Sequence, residues 1–304
     1  MSLGYAPAPA GSTTERVRQT VALLRGRGYA VGPARLGELC LGGQVPDSDV
    51  RWAVASTEEL TVEDGLVVER DECCDRDRTR AIVERANRHQ VESAAYIDMA
   101  IGFIRTLVAA APFVRGVSIA GSLASGGFRA SDDVDLNLLV DDGYRHVAYV
   151  AVNLLGVLHA LRHRGKPVDD LTRRPLAPRL MTANLILERS QCRPLQRLDA
   201  DMAFELLVAE PVFGIDAIRE VVDENPSLLD HFPQLAGKAA PLLIESPKRL
   251  TRTLVPRFLD VPSRVVGETA WRYMQWTRRH KPDALARVAF VRATMRPYTL
   301  FDRS

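Results

Sequence analysis

Residues 117–140, VSIAGSLASGGFRASDDVDLNLLV, constrain the fold of this chain more than any other stretch. The second half alternates. On an extended strand Asp133, Asp135 and Asn137 point to one side, and Val134, Leu136 and Leu138 to the other. Such a strand buries its aliphatic side in a core and turns its acids the opposite way. Two carboxylates at adjacent same-side positions repel unless a cation lies between them, and hard Mg²⁺ (or Mn²⁺) prefers oxygens of this kind. Asp133 and Asp135 therefore read as a metal clamp. Upstream, Ile119-Ala120-Gly121-Ser122 ends a short apolar strand and opens a helical turn. Gly121 permits close backbone approach to a ligand, and the N–H groups of the turn with the Ser122 hydroxyl can hold phosphate oxygens. Ten residues separate Ser122 from Asp133, with Gly126, Gly127 and Arg129 among them. That length allows a turn and a return strand, so that phosphate cradle and metal clamp face one another.

The flanking sequence sets the architecture. Helical spacing of Val17, Val21 and Leu24 predicts a helix from Thr13, stopped by Gly26 and Gly28, with further short helices over Pro33–Leu41 and Asp47–Ser56. Leu60–Val62 and Leu66–Val68 flank Glu63-Asp64-Gly65, a hairpin signal. Three helices and a hairpin have the order of a winged helix. Glu63, Asp64 and Glu69 make the would-be wing acidic, so packing or docking is expected of it rather than DNA binding. A long helix follows over Asp77–Ala110, closed by Pro112. Strands are expected at Val117–Ala120, Asp133–Val140 and Arg179–Glu188, and helices at Tyr144–Arg164 and Asp199–Glu210, with a basic loop over Gly165–Pro178. This is the pattern of an α/β (α+β) protein with a mixed sheet. The expected division is a disordered start (1–12), a winged-helix-like module (13–76), a central α/β domain (77–215) and a helical, basic region (216–304).

An apolar residue, Gly-Ser, a gap of this size and then Asp-apolar-Asp-apolar resembles the signature of the DNA polymerase β-like nucleotidyltransferase superfamily. The resemblance extends to bacterial proteins of that class with a winged-helix-like segment and a long helix ahead of an "IPFV…GSLA" stretch, here Ala111–Val114 and Gly121–Ala124. Their basic turn after the next helix is matched by Arg162–Lys166, their strand Asn by Asn184, and their helix-ending "P-L-x-G" by Pro211–Gly214. The likeness covers roughly residues 40–215. It implies the nucleotidyltransferase fold, Mg²⁺ on Asp133 and Asp135, and a nucleoside triphosphate, ATP first, held at Gly121 and Ser122. Arg129, Lys166 and Arg179 would neutralise the leaving pyrophosphate. The superfamily also places a third carboxylate on a later strand. Thr182, Asn184, Ile186 and Glu188 are expected on the face toward the site, and Asn184 stands where that acid belongs. An amide coordinates weakly and makes a poor base. Glu188, Asp169 or Asp170 would have to substitute, or turnover would be slow or absent.

The implied function is transfer of a nucleoside monophosphate from an NTP to a small-molecule acceptor. The alternatives are a catalytically weak nucleotide-binding regulator, or an RNA- or protein-modifying transferase. The last draws on charge asymmetry. Residues 246–304 hold 13 Lys and Arg against four acids, +9, which leaves −7 for residues 1–245 of a chain at +2. In that basic end Trp271, Tyr273 and Trp276 lie among Arg272, Arg278 and Arg279. They suit base stacking, but at helical spacing they read first as core plus solvated edge. His159 and His163 lie four apart without a nearby acid, which argues against a metal site. Four cysteines lacking any CxxC, no secretory signal pattern and no apolar run long enough for a bilayer lead to a cytoplasmic, non-membrane expectation.

Overall fold

In the computed structural model the described residues are 11–70, 76–163, 165, 167, 180–237, 254–277, 279–280 and 282–301. Lys166, Asp169, Asp170 and Arg179, most of the basic loop, Cys73, Cys74, Arg278 and nearly all of segment 1–12 lie outside them. The protein is a mixed α/β structure built around a mixed sheet.

The N-terminal part holds α1 (Thr13–Gly26), α2 (Pro33–Glu38) and α3 (Asp47–Ala55), then β1 (Leu60–Glu63) and β2 (Leu66–Glu69) as an antiparallel hairpin. Ser12 caps α1 by accepting the Glu15 N–H at 3.3 Å. The tight turn needs Asp64 and Gly65 at positive φ, and Val31 adds a bridge to Val67. Next, α4 (Arg76–Ala110) carries an apolar C-terminal half whose Ala100, Phe103, Ile104, Leu107 and Val108 are buried. By length and composition α4 could cross a membrane, the one such helix among the described residues.

The central sheet has the order β5-β4-β3-β6, from β3 (Val114–Ala120), β4 (Val134–Val140), β5 (Met181–Glu188) and β6 (Glu210–Phe213). β3 lies antiparallel to both β4 and β6, and β5 runs parallel to β4. Between β3 and β4 sits α5 (Gly121–Ser125), and between β4 and β5 sits α6 (Arg145–Ala160). Val117, Ile119, Val134, Leu136, Leu138 and Ile186 face one side, in a core shared with α4 and α6. Leu185 and Leu187 face the other, in a core shared with α7 (Ala200–Val208) and with α1, α2 and α3. The sheet is thus covered on both faces, one by the central helices and the other jointly by N-terminal and later helices.

One expectation about the elements needs adjustment. The Pro211–Gly214 segment does not end a helix. α7 stops at Val208, and 210–213 form the edge strand β6, where proline is tolerated because one side of the backbone has no ladder partner. The run beyond Ile215 resolves into α8 (Ile215–Asp223), the single turn α9 (Leu228–His231), α10 (Asp260–Thr277) and α11 (Pro282–Met295). α10 packs on α6, and Asp260 caps that helix from outside. Its Oδ1 accepts the His146 and Val147 N–H groups at 2.7 and 3.0 Å, and Oδ2 lies 2.7 Å from His146 Nδ1. The chain then returns to the body, where Tyr298 and Phe301 are buried.

Candidate functional site

Antiparallel pairing of β3 with β4 sets Ala120 opposite Asp135, so the Gly-Ser turn begins where the acidic strand begins. Gly121 adopts φ +61°, and a Cβ there would lie 3.0 Å from the Asp135 Cβ and Cγ. Only glycine fits this approach without strain. Asp135 is held from its other side by β5, where Thr182 is its register partner and donates its hydroxyl to Oδ1 at 2.5 Å. Asp133 is half-buried and sits one residue ahead of β4 rather than within it.

Ser122 is 4% exposed, and its hydroxyl donates to Asp132 Oδ2 at 3.4 Å. That oxygen also accepts the Arg129 N–H at 3.3 Å and Arg85 Nη2 of α4 at 2.5 Å. Asp132 therefore organises the turn. Arg129 is half-buried, and its Nε is sealed from solvent with no hydrogen-bond partner among the described residues. A row of α4 side chains grips the rest of the loop. Arg85 donates to the Gly127 carbonyl, His89 Nδ1 accepts the Phe128 N–H at 3.3 Å, Glu92 accepts the Ala130 N–H, and Tyr96 donates to the Ala130 carbonyl at 3.1 Å. Burial holds the His89 imidazole below the usual histidine range. It is therefore neutral when it accepts that bond.

β5 departs from strict alternation. The β4–β5 register slips between Leu136 and Asn137, with Ala183 opposite Leu136 and Leu185 opposite Asn137, which leaves Asn184 as an extra residue. Such a bulge turns every later side chain to the opposite face. Thr182 remains on the face of Asp135, but Ile186 enters the far core. Glu188, expected as a replacement acid, instead accepts the Gly143 N–H at 2.7 Å and caps the following turn. Asn184 donates to Asn137 Oδ1 at 3.0 Å and to Glu205 Oε1 at 2.9 Å, and Asn137 donates to the same Glu205 oxygen at 3.0 Å. Glu205 lies on α7 and is 9% exposed. The sequence reading missed this carboxylate, although it is the lone charge inside MAFELLV. A buried carboxylate needs donors, and the two asparagines supply them.

The face of the sheet thus grades from Asp135 and Thr182 through Asn137, Asn184 and Glu205 to Leu139 and Leu187. Among the described residues no three or more His, Cys, Asp or Glu side chains group as metal ligands. His159 and His163 lie with ring centroids 4.8 Å apart at the end of α6, and among the described residues no acid joins them in a metal-ligand group. The chain matches no family model, no curated protein and no solved structure.

Proposed function

We propose that the protein is a nucleotidyltransferase that binds an NTP, ATP first, at the Gly121-Ser122 turn and the Asp133/Asp135 pair, and transfers its nucleoside monophosphate to a small-molecule acceptor. The observation that carries this reading is the approach of Asp135 to Gly121, where the Asp135 carboxylate fills the space a Cβ would need. It brings a turn able to approach phosphate against an acid able to hold a divalent cation, as the nucleotidyltransferase resemblance implies. The hairpin, its three helices and the Val31–Val67 bridge likewise support the winged-helix-like reading of the N-terminal part.

Asp133 and Asp135 would hold Mg²⁺, whose chemistry here is to neutralise charge gathering on the phosphates. Its remaining ligands would come from the nucleotide and water. Thr182 fixes one Asp135 oxygen. A phosphate oxygen can replace Asp132 as the acceptor for the Ser122 hydroxyl, and Arg129 supplies a nearby positive charge. A second reading, a nucleotide-binding protein with little turnover, draws support from Asn184. Its amide hydrogens are committed to Asn137 and Glu205, and it brings no charge to the Asp135 end.

The test is Mg²⁺-dependent binding of ATP together with pyrophosphate release from ATP in the presence of a metabolite extract. Asp135→Asn is expected to weaken binding at least tenfold and abolish release, with an unchanged circular dichroism spectrum. Binding without release in the unaltered protein selects the second reading. ATP binding indifferent to both Mg²⁺ and Asp135→Asn sinks both.

A further inference from the structure

α10 shows solvent an apolar stripe too broad for an ordinary helix edge. Val261 (72% exposed), Val265 (62%), Tyr273 (64%) and Trp276 (57%) follow one another at helical spacing, with Val266 alongside and Phe258 just ahead of the helix. The opposite side of α10 is the one packed on the body, where Gly267 lies against the Phe301 and Tyr149 rings and Trp271 is partly buried. Six exposed side chains of this size offer on the order of 800 Å² per copy, about what one partner contributes to a stable protein–protein interface. Monomers seldom leave a continuous patch that large uncovered.

We propose that α10 is a self-association surface, on which a second copy of this chain packs its own α10 antiparallel across a two-fold axis. The stripe is small at its start (Val261, Val265) and bulky at its end (Tyr273, Trp276). A two-fold axis between Glu268 and Thr269 brings Val261 under the partner's Trp276 and Arg264 beside the partner's Tyr273. Small then meets large and cation meets ring at both ends, the self-complementarity an isologous contact requires. Charge agrees with this occupant. Glu268 is paired with Arg272 at 2.5 Å, so the middle of the stripe, where the two copies would cross, carries no net charge. A polyanion would leave the valines and Phe258 uncovered.

Light scattering and sedimentation of the full chain at micromolar concentration test the proposal. The unaltered protein is expected to run at twice the monomer mass, and Val265→Glu at the monomer mass with an unchanged circular dichroism spectrum. Should Val265→Glu fail to fold, a cross-link decides. Thr269→Cys, with Cys73 and Cys74 changed to Ser, is expected to oxidise to a covalent dimer, because Thr269 lies next to the axis. Cys40 and Cys192 are buried and do not interfere. A monomer at every concentration overturns the proposal. So does a dimer that persists in Val265→Glu. A monomer that floats with phosphatidylserine vesicles assigns the face to lipid instead. One that retains a single-stranded oligonucleotide, with a steep salt dependence, assigns it to nucleic acid.

Discussion

At Gly121 the chain has no room for a side chain, and the obstacle is Asp135 itself. Gly121→Ala places a methyl group against that carboxylate and forces a left-handed conformation on a residue that resists it. The expected cost is about 1–3 kcal/mol of stability, read as a lower urea midpoint. Mg²⁺-dependent ATP binding should fall further than that loss explains, because Asp135 is displaced. An unchanged midpoint and unchanged binding would show that turn and acid are not coupled. The neighbourhood was half legible in the sequence. Alternation along residues 134–140 shows which side chains share a face, and it places Asp135 correctly. It fails at Asn184, because a one-residue bulge leaves no mark in the alternation of MTANLILE. The acid then expected from Glu188 is absent from this face, and the carboxylate beside Asn184 comes from Glu205, 21 residues away. Burial of a single charge in an apolar helix was the available signal.

Among the elements, α4 shows why periodicity is readable and partnership is not. An apolar stripe of Ile82, Ala86, Ala94, Ile97, Ile101, Ile104 and Val108 predicts the helix, and of these Ile82, Ala86, Ile104 and Val108 are buried. The first half is highly charged on its other faces, and there Arg85, His89, Glu92 and Tyr96 lie at i, i+4, i+7 and i+11 and together grip the loop at 127–132. β6 went unseen for a different reason. Four residues containing a proline carry no strand pattern, and the edge position alone accommodates them. The α4 grip should be sensitive to acid. His89 accepts the Phe128 N–H as a neutral ring, and burial keeps its folded pKa below that of the unfolded chain. As pH falls below about 6.5 the unfolded chain takes up this proton first, so stability declines until the pH passes the folded pKa. Above that window the contribution is complete. Urea midpoints measured from about pH 7.5 to about pH 5 should therefore fall, and His89→Gln should flatten the slope, since a glutamine carbonyl accepts the same bond without titrating. Part of the slope should survive, because burial lowers the His159 pKa as well. An identical slope in His89→Gln would remove the loop bond from the explanation.

For the whole molecule, composition suggests three successive parts, but the buried side chains connect them. Val17, Val21, Leu24, Leu36 and Leu39 share one apolar cluster with Leu185 and Leu187 of the sheet, Phe204 of α7, Phe232, and Met295 and Tyr298 near the far end. Polar bonds follow the same seam. Arg27 pairs with Asp201 at 2.8 Å, its guanidinium 4.8 Å from the Phe204 ring centroid, and Gln234 donates to the Cys40 carbonyl at 2.9 Å. Contacts between residues some 170 positions apart leave no local trace, so a reading from pattern divides what packing unites. The acidic β1–β2 hairpin agrees with this arrangement, since helices α1–α3 are committed to the body through their apolar sides. A shared core melts as one unit. Calorimetry of the full chain is therefore expected to give a single transition with equal calorimetric and van't Hoff enthalpies. A chain beginning at Arg76 should lack native circular dichroism and aggregate, because the α7 face with Phe204 and Leu207 loses its cover. Two separated transitions, or a soluble shortened chain with native-like spectra and ATP binding, would show instead that the N-terminal helices form an independent unit resting on a complete domain.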